Sequence, residues 1–270
     1  TACVNRTAPG HQASAAGAVA GDATAALVAT RSGGAPIVRR LLAEIPYTVR
    51  RSDRARHARI VVDASGVEVV VPRRMALHHV EPFVQEKSRW IERTLRRFRE
   101  AEEALPAPEL EHGGSVPYLG QELLLWVSVE PGRTRDHVAR RGDVLHVKIG
   151  AMGEQPVRAA LERWYRKRAR VEVAARLDAA TRRAATRYTR LSIRSQRTRW
   201  ASCSSNGAMS FNWRLLLAPA PILDYVVEHE VAHLEILDHS QSFWRLLGSR
   251  CPEYREHERW LKRHGAALRL

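Results

Sequence analysis

Tyr225-Val-Val-Glu-His229-Glu230-Val-Ala-His233-Leu-Glu-Ile-Leu-Asp-His239 is the stretch on which the reading of this chain turns. It carries two histidines four residues apart, a glutamate directly after the first, and a third histidine six residues after the second. On an α-helix, residues four apart stand one above the other on one face, so His229 and His233 can aim two imidazole nitrogens at one metal ion. Glu230 is rotated by about 100° from His229, which sets its carboxylate beside the metal rather than on it. A general base must stand there to take a proton from a water activated by the metal. Two neutral nitrogens, a third ligand and an open coordination position describe a catalytic zinc site.

The flanks support a helix. Ala218-Pro-Ala-Pro221 interrupts the chain and puts proline where a helix can begin. Ile222, Leu223, Val226 and Val227 then give apolar helical spacing, with no proline or glycine before Gly248. An ordinary core helix has no reason to gather two histidines, a glutamate and a further histidine around one turn. His239, between Asp238 and Ser240, is the favoured third ligand, because the chain is expected to turn there and let it swing back. The competing choice is a glutamate from a following helix, Glu253 or Glu256. Asp238, Glu228 and Glu235 add charge near the motif and are expected to face solvent.

Further segments carry a resemblance. Arg199-Trp-Ala-Ser-Cys203-Ser, Ser210-Phe-Asn-Trp-Arg-Leu-Leu-Leu-Ala-Pro219, Asp224 to His233 and His239-Ser-Gln-Ser-Phe-Trp244 resemble the YgjP-like metallopeptidases in order and spacing. Ile45-Pro-Tyr-Thr-Val-Arg-Arg51, Val69-Val-Val-Pro-Arg-Arg74 and Pro117-Tyr-Leu-Gly120 resemble the amino-terminal half of that family, so that residues 41 to 265 are covered. The resemblance implies a zincin-type protease with His229, His233 and His239 as zinc ligands and Glu230 as catalytic acid/base. Ala201 stands where the family usually has glycine, Val231 where it usually has leucine, and Ile236 where many zincins place a turn glycine.

The 270 residues suffice for one or two domains with a substantial core. No apolar run approaches the eighteen or so residues of a membrane helix, and the first ten residues lack a signal-peptide pattern, so no membrane partner is expected. Cys3, Cys203 and Cys251 are few and unpaired in spacing, which suggests free thiols in a reducing compartment, the cytoplasm. Cys203 reads as a small buried hydrophobe. The net charge of +15 invites a nucleic-acid partner. Yet 40 of the 44 basic residues are arginine in an alanine-rich chain, a skew that a GC-rich genome also produces. The dense stretches at 158–170 and 182–190 lie on expected helices that also carry acids, where solvated faces are expected.

The expected fold class is α+β, a β-rich N-terminal half followed by a zincin-like region holding the motif helix. Residues 1–40 read as a disordered Ala/Gly-rich extension, 41–150 as a β-rich region with one helix over His78–Glu103, and 151–270 as the catalytic region. Strands are expected at Ala58–Asp63 and Val67–Pro72 around a turn at Ser65-Gly66, and at Leu123–Val129 and Val144–Ile149. A long arginine-rich helix is expected from Pro156 to Thr186. Thr198–Cys203 and Ala208–Leu215 form a hairpin through Asn206-Gly207. Ser240 is expected to cap the next helix, and Pro252 and Gly265 to bracket the last. No internal repeat is visible.

The function expected is zinc-dependent hydrolysis of peptide bonds, with Glu230 moving the proton. Tyr254, or Arg197 or Arg199 behind it, is the candidate transition-state stabiliser. Met209–Trp213 is the candidate strand for pairing with a polypeptide substrate, with Ser210 and Asn212 on it. Trp213, Phe211 and Trp244 are candidate walls of a specificity pocket. The rivals are a basic nucleic-acid-binding module with structural zinc, and a protease recruited to DNA. Oligomeric state is left open.

Overall fold

A computed structural model describes residues 2–5, 38–42, 45–63, 66–196 and 199–270. The chain forms two compact units, Gly10–Glu103 and a larger one of Thr1–Pro9 with Ala104–Leu270. The boundary thus falls at Glu103/Ala104 rather than at the expected 150/151. Most of the expected disordered extension lies outside the described residues, but Ala2–Asn5 (β1) and Val38–Leu42 (β2) are strands.

In the smaller unit β2 is joined by β3 (Ile45–Ser52), β4 (Arg59–Asp63) and β5 (Gly66–Pro72) in the order β2-β3-β5-β4, with β3 and β5 parallel. Alternating side chains, Tyr47 and Val49 from β3 and Val67, Val69 and Val71 from β5, fill its core. The single helix expected over His78–Glu103 is instead a 3-10 turn, Leu77–His79, followed by α1 (Val80–Glu86) and α2 (Ser88–Ala104). At Lys87 the backbone leaves helical geometry, with φ −98° and ψ 4°. Apolar periodicity cannot register this break, because Phe83 and Val84 remain two turns from Trp90 and Ile91 and all four join the same core.

The larger unit begins its own second sheet with β6 (Ser115–Tyr118), β7 (Gln121–Val129), β8 (His137–Arg141) and β9 (Val144–Ile149), ordered β6-β7-β9-β8 with β7 and β9 parallel. This is the same order and pairing as in the smaller unit, a repeat of topology that the sequence does not display. The helix α3 (Glu154–Arg183) buries Val157, Leu161, Tyr165, Ala169, Val173 and Leu177 at four-residue steps. Tyr165 donates its hydroxyl to the Pro117 carbonyl at 2.6 Å, tying α3 to β6. Half-buried arginines of α3 meet acids: Arg168 and Arg176 both contact Glu172, and Arg176 reaches Asp224 at 2.7 Å.

A third sheet positions the motif. β10 (Arg190–Arg194), β11 (Arg199–Cys203) and β12 (Ala208–Asn212) stand in the order β1-β11-β12-β10. The β11–β12 hairpin turns through Asn206-Gly207, where Gly207 takes φ +76°, a conformation open to glycine. β12 stops at Asn212 instead of continuing to Leu215. The Asn212 side chain accepts a hydrogen bond from the Arg214 amide at 3.2 Å and starts a 3-10 turn, Trp213–Leu217. Three helices complete the unit: α4 (Ala220–Ala232), α5 (Gln241–Arg250) and α6 (Tyr254–His264). No helix among the described residues is long and apolar enough to cross a membrane.

Candidate metal centre

α4 is entered from Pro219, with Pro221 in its first turn, and its residues from Tyr225 to Ala232 are all buried. It carries His229 and Glu230, and ends so that His233 is its C-cap, with φ −71° and ψ −11°. The following turn brings His239 back over the helix end. The amides of Leu234, Glu235 and Ile236 bond to carbonyls of Val231 and Ala232 at 2.9–3.1 Å. Ile236 serves in place of glycine because no residue of this turn needs a positive φ.

The three Nε2 atoms converge. His229 and His233 are 3.2 Å apart, His233 and His239 3.2 Å, and His239 and His229 3.1 Å. Each neutral imidazole has one N–H, so three nitrogens facing one point cannot satisfy one another as donors and acceptors. A cation at their centre can satisfy all three. Metal–nitrogen bonds of about 2.0–2.1 Å in tetrahedral geometry separate ligand nitrogens by about 3.3 Å, close to the observed triangle. Among the described residues these three form the metal-competent group. Glu253 and Glu256 are exposed and lie outside it, Glu253 facing His257 at 3.8 Å.

The rings are held in place. His233 donates from Nδ1 to the Ile236 carbonyl at 2.9 Å, which leaves its Nε2 lone pair for the metal. Phe243 of α5 stacks on His233 with centroids 4.4 Å apart and meets His229 and His239 edge-on at 5.0 and 4.8 Å. Trp244 stacks on His239 at 5.5 Å. Burial holds the His229 imidazole well below its ordinary pKa, with the neighbouring His233 and His239 adding to the effect. Burial pushes His233 down to about 4 and lowers His239 as well. All three are therefore neutral near pH 7, as metal ligands must be.

Glu230 is fully buried beside this group. Cys203 on β11 is close enough to feel its charge, and burial followed by that charge raises the thiol to about 11. It is a protonated small core side chain, not a ligand.

The remaining candidate residues take these places in the structure. β12 is paired with β11 on one edge and β10 on the other, so no substrate strand can add to Ser210 and Asn212. The Ser210 hydroxyl lies 2.9 Å from that of Ser202, and Asn212 donates to the Gln196 carbonyl at 2.8 Å. Phe211 and Trp213 are fully buried packing residues, which removes them from a pocket wall. Tyr254 stacks on Trp244 at 5.5 Å, and its hydroxyl accepts from Arg255 Nε at 3.1 Å. Arg199 begins β11, while Arg197 lies outside the described residues. Glu228 is buried and paired with Arg183, not exposed, and Glu235 accepts from Arg250 at 2.5 Å. Ser240 makes no side-chain cap; its amide instead bonds to Asp238 Oδ1 at 3.2 Å. The Ile236 carbonyl and Phe243 were missed as supports, since neither residue type announces such a role at its position.

No curated protein and no solved structure matches the chain. A family model described as YgjP-like, metallopeptidase domain, matches residues 56–264. With the three histidines gathered and that match spanning most of its length, the chain belongs to the YgjP-like metallopeptidase family.

Proposed function

We propose that this protein is a zinc-dependent peptide-bond hydrolase of zincin type. The observation that carries the reading is the triangle of His229, His233 and His239 nitrogens with a buried glutamate next in the chain to one of them. The three imidazoles would hold the zinc, three neutral nitrogens being a common catalytic donor set. When bound, zinc supplies Lewis acidity toward water and the scissile carbonyl. Glu230 takes the proton of the attacking water and hands it to the departing amine nitrogen. Its burial keeps the carboxylate out of bulk solvent beside the ligand histidines. Phe243 and Trp244 hold the ligand rings and keep solvent from their backs. The substrate is a flexible or unfolded polypeptide segment, and two free thiols among the described cysteines suit a reducing compartment.

The test compares metal content and casein hydrolysis of the wild type with those of Glu230→Gln. The variant should retain zinc and lose activity by about 10²–10⁴-fold. Hydrolysis at the wild-type rate would remove Glu230 from the chemistry. Trapping with zinc-loaded Glu230→Gln in lysate, against His229→Ala, should enrich polypeptides; enrichment of nucleotides or small metabolites alone would overturn the peptidase reading.

A further inference from the structure

The sheet beside the metal centre has an unusual outer strand. β11 lies next to α4, and its inner edge pairs with β12. Its outer edge is covered by β1, antiparallel, with Ala2 opposite Cys203, Cys3 opposite Ser202 and Val4 opposite Ala201. The register then slips between Val4 and Asn5, and the pairing ends with Asn5 opposite Arg199. β1 also lies against α4, the helix of His229 and Glu230. Cys203, the partner of Ala2, is the β11 residue that feels the Glu230 charge.

Without β1, β11 would present a row of open N–H and C=O groups beside the metal centre, ready to take up an extended chain. The other edge of the sheet belongs to β10, which is joined to β12 and separated from β11 by it. β1 is only four residues long, uncharged, and distant in sequence from the strand it covers. So short a pairing can exchange with another strand, yet tethering gives it a high local concentration against any rival in solution.

We infer that the segment Ala2–Asn5 is a built-in occupant of the substrate edge, competing with polypeptide substrates for the outer side of β11. The inference rests on the peptidase reading for the word substrate, but the competition itself is a matter of binding. Its consequence is autoinhibition relieved when the segment is displaced.

The test uses the full chain with Cys3→Pro and Val4→Pro together. Adjacent prolines remove the amide donor in both phases of the strand, whichever faces β11. In a Glu230→Gln background, fluorescein-labelled casein should bind at least fivefold tighter to the proline variant than to its parent. The amides of residues 201–203 should exchange faster in the variant. A synthetic peptide of residues 1–9 should restore their protection and displace the casein. With Glu230 intact, the KM for casein should fall several-fold at constant kcat. A chain lacking residues 1–9 provides the same readouts if the prolines disturb the sheet. Unchanged casein affinity together with unchanged exchange at 201–203 would overturn the inference. Absence of hydrolysis by every version would defeat the peptidase reading alone, leaving the binding and exchange data to decide on β1.

Discussion

His233 donates from Nδ1 to the backbone carbonyl of Ile236, 2.9 Å away and three residues on. One bond thereby orients the imidazole, leaves Nε2 as the lone-pair nitrogen, and braces the turn that returns His239 to the centre. A histidine at a helix C-cap is well placed for this, because the chain beyond it is free to fold back.

The ligand set gives the first prediction. His239→Ala should lose bound zinc at metal concentrations that saturate the wild type, since first contacts to a metal are not replaced without rearrangement. Glu253→Ala and Glu256→Ala should keep it. Titration with a chromogenic chelator measures all three, and the reverse pattern would move the third ligand to α6.

Phe243→Ala should cost about 3–5 kcal/mol of stability, because the ring is fully buried and touches all three imidazoles. Zinc affinity should fall by about 10–100-fold, the range seen when groups supporting ligands are removed. Chemical denaturation and zinc titration separate the two effects. Loss of stability with unchanged affinity would make Phe243 a packing residue only.

Gly265→Ala should destabilise by about 1–3 kcal/mol through overpacking. A Cβ there would stand 2.8 Å from Cζ2 of Trp200, a fully buried ring. Gly265 has φ −58°, so the cost is one of space rather than of backbone conformation. Trp200→Phe in the same chain should recover part of the loss, as measured by denaturant midpoints.

Acid should weaken the metal-free protein in a defined window. His229, His233 and His239 are held below their ordinary pKa by burial, His233 at about 4. Unfolded histidines titrate near 6.5, so below that pH the unfolded chain binds protons that the folded chain refuses. Stability from these groups is complete above about pH 6.5 and declines as pH falls toward 4. Thermal melts of chelator-treated protein from pH 8 to 4.5 should be flat and then descend. His233→Asn should shallow the descent.

The motif helix with His229 and His233 is legible in the chain because it depends on local periodicity: 3.6 residues per turn stacks His229 over His233 whatever surrounds them, whereas the choice of His239 over Glu253 or Glu256 rests on the turn beyond the helix end. The Asn206-Gly207 hairpin and the long apolar stripe of α3 are legible for the same reason. What lay beyond reach depends on partners distant in sequence. Pro221 and the apolar spacing of Ile222 to Val227 mark α4, but nothing in Met209–Trp213 reveals that both edges of β12 are already paired. Glu228 reads as a surface acid until Arg183, 45 residues earlier, is brought against it. Lys87 interrupts a helix without disturbing its apolar pattern. The sequence by itself determined which side chains could bind a metal, because that is set by residue type and helical phase. Only the tertiary structure decided which strand edge β1 covers and which ring backs each ligand, because hydrogen-bond pairing between strands and the filling of space are long-range choices that no local pattern encodes.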